Sequence, residues 1–187
     1  MGPDADAGML AERLRHGTAG GGVLLIGWLG AEAVGHVYIW TDRPDEPEIH
    51  ERLPDTPLIM NLWVRPERRR QGIGVRLMAA AEKWLAERGH DKVALGVDTE
   101  NEAAILLYRH LGYSPWGHGD VKTHRDHFQA DGSVDTVTWE ICEVFYRDLP
   151  KMRRPARSAP FLRLVHRIRE ISSRMTATRM RRKVDTA

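Results

Sequence analysis

The chain has 187 residues, of which 42% are hydrophobic and 29% charged, with a formal net charge of +2. That is long enough for one domain with a substantial core and an appendage. A single cysteine, Cys142, excludes an internal disulfide framework. Within the apolar run "TWEICEVF" it reads as a small buried hydrophobe. No apolar run approaches the roughly 20 residues needed to span a bilayer. The acidic start "MGPDADAGML" lacks the basic and apolar regions of a signal peptide, so a cytoplasmic protein is expected.

The small net charge conceals an asymmetry. Residues 151–187 hold twelve Lys/Arg against two acids, net +10, which leaves 16 bases and 24 acids in residues 1–150, net −8. An acidic body with a basic tail informs about partners rather than fold.

In chain order, residues 8–16 suggest a short helix ended by Gly17 and followed by a glycine-rich turn. "VLLIGWLG" and "EAVGHVYIW" read as strands joined by a hairpin turn at Gly30-Ala31. Residues 41–57 carry Pro44, Pro47, Pro54 and Pro57, predicting a loop or a short helical excursion. "PLIMNLWV" is the third strand. Leu77, Met78, Ala81, Trp84, Leu85 and Arg88 then recur at helical spacing up to Gly89. "KVALGV" is a fourth strand. Thr99 and Glu102 form a T-x-x-E capping box for a helix running to Gly112. "YSPWG" is a candidate short strand, the His-rich "GHGDVKTHRDHF" reads as a polar connection, and "TVTWEICEVFYRDL" is a last strand. Pro150, Pro155 and Pro160 mark a linker. This order describes a mixed sheet with helices packed on it, an α/β or α+β domain over residues 1–150.

The stretch "LWVRPERRRQGIGVRLM" carries the chemistry. Arg69, Arg70, Gln71, Gly72, Ile73 and Gly74 precede a first helical turn whose backbone N–H groups lack partners. Glycines let an anion approach those amides, and arginines add charge, so a phosphate or pyrophosphate is the expected ligand. A P-loop would need G-K-[ST], yet Val75 and Arg76 follow Gly74. The dinucleotide fingerprint would need Gly or Ala where Leu77 stands. The [QR]-x-x-G-x-[GA] loop of acetyl-CoA-dependent N-acetyltransferases is satisfied.

From about Leu58 to Trp116 the chain resembles the core of the GCN5-related N-acetyltransferase (GNAT) superfamily. The glycine loop carries part of this likeness. "KVALGVDTENEAAILLYRHLGY" carries the rest, looking like the family's next strand, Asn-bearing turn and A-x-x-L-Y-x-x-x-G-[FY] helix. The resemblance implies a mostly antiparallel sheet flanked by helices, with a splayed strand pair holding acetyl-CoA. It implies main-chain contacts to the pantetheine arm and thioester from Leu62, Trp63 and Val64. Arg69, Arg70, Gln71, Gly72, Ile73, Gly74, Val75 and Arg76 would cover the pyrophosphate. Asn101 would touch the coenzyme, its bland alternative being local hydrogen bonding in a helix's first turn. Tyr108 would also meet the coenzyme and protonate the departing thiolate, its bland alternative being a half-buried aromatic on an amphipathic helix. Arg68 reads as a solvated neighbour.

The resemblance departs in two places. Asn61 stands where a carboxylate base is expected, leaving Glu48, His50, Glu51 and Asp55 as candidates, directly or through water. The family's first strand is not visible before residue 22.

The implied activity is acetyl transfer to a primary amine by direct attack in a ternary complex. The competing reading is a non-catalytic acyl-CoA-binding module recruited to membrane or nucleic acid by its tail. Residues 41–57 hold six acids against two arginines, net −4, a rim that would steer a cationic amine or be a plain solvated loop. His118, Asp120, His124, Asp126 and His127 match no standard zinc spacing, so no metal is expected, and they are candidates for lining the acceptor pocket. In residues 151–187, Phe161, Leu164, Val165, Ile168, Ile171 and Met175 fall on one helical stripe among arginines. Such a basic amphipathic tail suits anionic membrane, nucleic acid, or the acidic body of its own or a second subunit in a homodimer. Its end, "MRRKVDTA", is expected to be disordered.

Overall fold

A computed structural model describes residues 3–129 and 131–151. These belong to the first of two units, Met1–Arg153. The expectations for the basic tail fall outside the described residues.

Helix α1 (Pro3–Thr18) leads into the hairpin β1 (Gly22–Leu29) and β2 (Glu32–Trp40). Gly30 makes the turn at φ 61°, a left-handed value that glycine adopts without a Cβ penalty. Helix α2 (Pro47–Arg52) precedes β3 (Leu58–Val64), and a single 3-10 turn (Pro66–Arg68) leads to α3 (Ile73–Glu87). Then come β4 (Lys92–Asp98), α4 (Glu102–His110), the two-residue β5 (Ser114–Pro115), β6 (Val121–Phe128) and the long β7 (Val134–Asp148). Among the described residues no strand precedes α1, so the sheet begins at β1.

The sheet runs β1-β2-β3-β4-β7-β5, with β6 on the far half of β7. All pairings are antiparallel except β3–β4. On one face α3 and α4 enclose the main core: Val37, Ile39, Met78, Ala81, Leu85, Val93, Leu95 and Phe145 are buried there. Leu77, Met78, Ala81 and Leu85 are the stripe expected from helical spacing, and each large apolar member contributes about 1.5–3 kcal/mol on burial. On the other face α2 sets Ile49 and Leu53 against Leu58, Ala94, Trp116 and Val144. Cys142 is buried, and burial pushes its thiol up to about 11, as befits a packing residue.

Two local expectations are corrected. The polar "VKTHRDHF" forms β6, because β7 offers it a full antiparallel ladder from Val121↔Cys142 to Phe128↔Val134. The capping box at Thr99 is replaced by Asn101, whose Oδ1 accepts from the Ala104 N–H at 3.2 Å and starts α4 at Glu102.

Candidate functional site

The site grows out of one irregularity in β3. On its β2 side the register jumps, Trp63 facing His36 and Met60 facing Tyr38, so Val37 faces both Asn61 and Leu62. The extra residue is Asn61, at φ 52°, the left-handed region that asparagine tolerates better than most residues. On its other side β3 meets β4 through one register pair, Leu58↔Ala94, beside the Ala94 N–H to Pro57 C=O bond of 3.0 Å. Beyond that point the two strands diverge. The main chain of Leu62, Trp63 and Val64 therefore faces a gap rather than a ladder. Buried backbone polar groups need partners, so such a gap suits a ligand with amide and carbonyl groups.

The bulge also changes which face each side chain meets. Ile59, Leu62 and Val64 pack toward the α3 side, while Leu58 and Met60 pack on the α2 side. Trp63 stacks on His36 with ring centroids 5.5 Å apart. A Cβ on Gly35 would sit 2.6 Å from the Trp63 carbonyl, so this close strand approach requires glycine.

At the end of β3 the glycine loop opens α3. Arg70 (φ 60°) and Gly72 (φ 74°) are both left-handed, and Gly72 is the N-cap with no side-chain cap. The first turn holds no acid. Its free N–H groups and positive dipole end are thus left to an external anion. A Cβ on Gly74 would lie about 4 Å from Val64, Leu107 and Leu62, so the loop, β3 and α4 converge at that glycine.

The arginines divide by contact. Arg69 donates from Nε to the Val64 carbonyl at 3.0 Å, tying the loop to the strand end. Arg68 is not a freely solvated neighbour: with Arg65 it ion-pairs Glu32 at 2.9 and 2.8 Å. These pairs hold the Glu32 carboxyl below its ordinary range. Gln71 donates to the Glu67 carbonyl at 3.3 Å. Arg70, Val75 and Arg76 are exposed along the same loop and first turn.

On α4, Asn101 Oδ1 is occupied by capping, which is the local role weighed against coenzyme contact. Tyr108 is buried, its ring 6.0 Å from Tyr113, and burial pushes its phenol up to about 12. Among the described residues no hydrogen bond engages its hydroxyl. At neutral pH it is therefore a protonated donor without an acceptor.

Across the sheet, α1 supplies a residue that sequence reasoning missed. Arg13 donates from Nε to Asn61 Oδ1 at 3.0 Å, and its guanidinium carbon lies 5.3 Å from the Tyr38 ring centroid and 5.4 Å from that of Trp40. Burial pulls its pKa below the ordinary arginine value, leaving it charged at neutral pH. Beside it His16 stacks on Trp40 at 3.8 Å and bridges the Tyr38 hydroxyl (2.6 Å) and Asp42 (2.9 Å). Forty-eight residues separate Arg13 from Asn61, and no local pattern signals such a pair.

The candidate bases lie on α2 and the turn after it. His50 and Asp55 line a cavity of about 300 Å³ with Asp42, Arg43 and Thr56. Arg43 Nη2 is 2.9 Å from His50 Nδ1, and Glu48 and Glu51 are exposed. The His-rich segment does not converge: His118 meets Arg52 and Trp116, His124 meets Trp139 and Asp126, and His127 meets Thr138. Among the described residues no three His, Cys, Asp or Glu side chains are grouped to hold a metal ion. No described helix is long and apolar enough to cross a membrane.

A bulged strand splayed from its parallel neighbour, with an anion-ready helix start at its end, makes a site shaped for an extended, amide-bearing ligand that ends in an anionic group. Residues 3–113 match the model of the Acetyltransferase (GNAT) family, and the chain belongs to that family. Among its relatives, the mycothiol acetyltransferase of Salinispora arenicola is 36% identical over 94 residues, 47% of this chain and 28% of that protein. The chain spans 16–28% of the length of eight mycothiol acetyltransferases it matches. Two solved structures share the fold. The ribosomal-protein-alanine N-acetyltransferase of Brucella melitensis has a TM-score of 0.52 at 23% identity, over 73% of this chain and 74% of that one. The yncA protein of Salmonella typhimurium, solved with its cofactor acetyl-CoA, has a TM-score of 0.51 at 15% identity, over 77% and 74%.

Proposed function

We propose that the chain transfers an acetyl group from acetyl-CoA to a primary amine by direct attack in a ternary complex. The observation carrying this reading is the opening of β3 from β4 beyond Leu58, leading to the uncapped start of α3 at Gly72. Family membership and the acetyl-CoA held by the yncA protein support the choice of donor.

In this reading the pyrophosphate rests on the first-turn amides of α3, covered by Arg69, Arg70, Gln71, Gly72, Ile73, Gly74, Val75 and Arg76. The main chain of Leu62, Trp63 and Val64 takes the pantetheine amides, and its N–H groups polarise the thioester carbonyl as its oxygen gains charge. Asn101 keeps its side-chain NH2 available to the coenzyme while Oδ1 caps the helix. The coenzyme supplies an activated acyl carbon and a thiolate leaving group. The amine lone pair forms the new C–N bond, the C–S bond breaks, and Tyr108 O–H donates its proton to the departing sulfur. The nitrogen's extra proton passes, directly or through water, to His50 or Asp55 in the acid-lined cavity, and Tyr108 regains its proton from solvent.

Release of free thiol from acetyl-CoA, measured against a panel of primary amines, tests the reading. Acceptor-dependent thiol at the rate of acetyl-amine formation is the expected result. Tight coenzyme binding with no acceptor-dependent turnover would overturn it in favour of the acyl-CoA-binding module.

A further inference from the structure

We infer that the acceptor is an amine that also carries a carboxylate, and that Arg13 is the residue that selects it. This rests on the transferase reading for the location of the attacking nitrogen, but its own evidence is separate.

Arg13 leaves most of its donors unused. A guanidinium offers five N–H donors in a planar fork, and the Nε donor is committed to Asn61 Oδ1. Among the described residues, no hydrogen bond uses its Nη1 or Nη2, and no carboxylate ion-pairs with it. Asp126 and Glu12 act on it only through their fields. Both terminal amino groups reach solvent, so an entering anion meets ready donors and displaces no internal partner. The planar fork fits a carboxylate bidentately.

The surroundings hold that fork rather than letting it wander. The aromatic faces of Tyr38 and Trp40 flank the guanidinium, Trp40 is fixed in turn by the His16 stack, and His16 is fixed by Tyr38 and Asp42. The Trp40 indole N–H is itself buried with no partner among the described residues, a second donor on the same wall without an acceptor. Most telling is the anchor. Asn61 is the extra residue of the β3 bulge, the point from which the strand leaves β4. An anion held by Arg13 is therefore fixed relative to the main chain that would polarise the thioester. Asp42, near the start of the acidic segment 41–57, reaches this wall through its 2.9 Å contact with His16 and offers negative charge to the ammonium end of the molecule. Charge of one sign meets each end of an amino acid.

The test is calorimetric titration of the full chain, with and without CoA. The titrants are primary amines in matched pairs, each an amino carboxylic acid and its primary amide. The acid should bind at least tenfold more tightly than its amide in at least one pair. Arg13→Gln should weaken the acid 10- to 100-fold and its amide less than twofold. Arg13→Lys, which keeps the charge and loses the fork, should fall between. If Arg13→Gln fails to fold, the wild-type pairs and Arg13→Lys decide. Equal weakening of acid and amide, or no preference for the acid in any pair, including no binding by either member, overturns the inference. Failed CoA binding with the acid preference intact overturns the transferase reading and leaves Arg13 as the carboxylate-selecting residue of an amino-acid-binding site.

Discussion

Replacing Tyr108 by Phe removes one oxygen from a buried ring and nothing else. The side chain is 8% exposed, and no described hydrogen bond holds its hydroxyl, so the variant keeps the packing against Tyr113 and forfeits no described internal bond. Its unfolding midpoint should move by less than about 0.5 kcal/mol, the range of changes that disturb neither packing nor polar partners. Turnover should fall about 10²- to 10⁴-fold, the usual contribution of a positioned general acid, equivalent to about 2.7–5.5 kcal/mol of barrier. The assay is single-turnover thiol release under saturating acetyl-CoA and acceptor, which isolates chemistry from product release, beside calorimetric CoA affinity, which should hold within threefold. Because burial pushes the phenol up to about 12, the wild-type rate should show no alkaline fall from this group below about pH 11. An unchanged single-turnover rate in Tyr108→Phe would refute the role of Tyr108 as acid.

Other outcomes follow from the same geometry. Gly72→Ala meets no neighbouring atom but forces alanine to φ 74°, so it should lose about 1–2 kcal/mol of stability in urea melts and weaken CoA binding. Leu85→Ala empties a fully buried site under α3 and should cost about 2–5 kcal/mol, read as a shift of the urea midpoint at constant slope. Stability should also fall at alkaline pH. Tyr38 and Tyr108 titrate near 12 when folded against an ordinary value of 10, and Tyr113 is raised further by burial and the Glu82 carboxylate. The folded state then holds protons that the unfolded chain has lost, so the contribution is full below about pH 10 and declines above it. A midpoint that stays flat from pH 9 to 11.5 would contradict that burial.

What could be read from the sequence was what neighbours in sequence settle among themselves. The loop from Arg69 to Gly74, the apolar stripe of α3 and the Tyr108 helix are local, because a helix period and a glycine at its start depend on residues within a turn or two. Fold class followed from the order of such segments. Where two local solutions competed, the tertiary structure chose. Thr99 and Asn101 can both open α4, and the β4–β7 ladder, running to Asp98, leaves Asn101 as the cap. Segment 121–128 alternates too weakly to announce a strand, and it becomes β6 because β7 extends past β4 and needs an edge partner. Asn61 is the sharpest case. As a sequence position it is a missing base; as a residue at φ 52° in a bulge, it bends β3 away from β4 and anchors Arg13 from 48 positions upstream. A contact of that range costs loop-closure entropy that only the assembled sheet and helix can offset, and so only the folded chain reveals it.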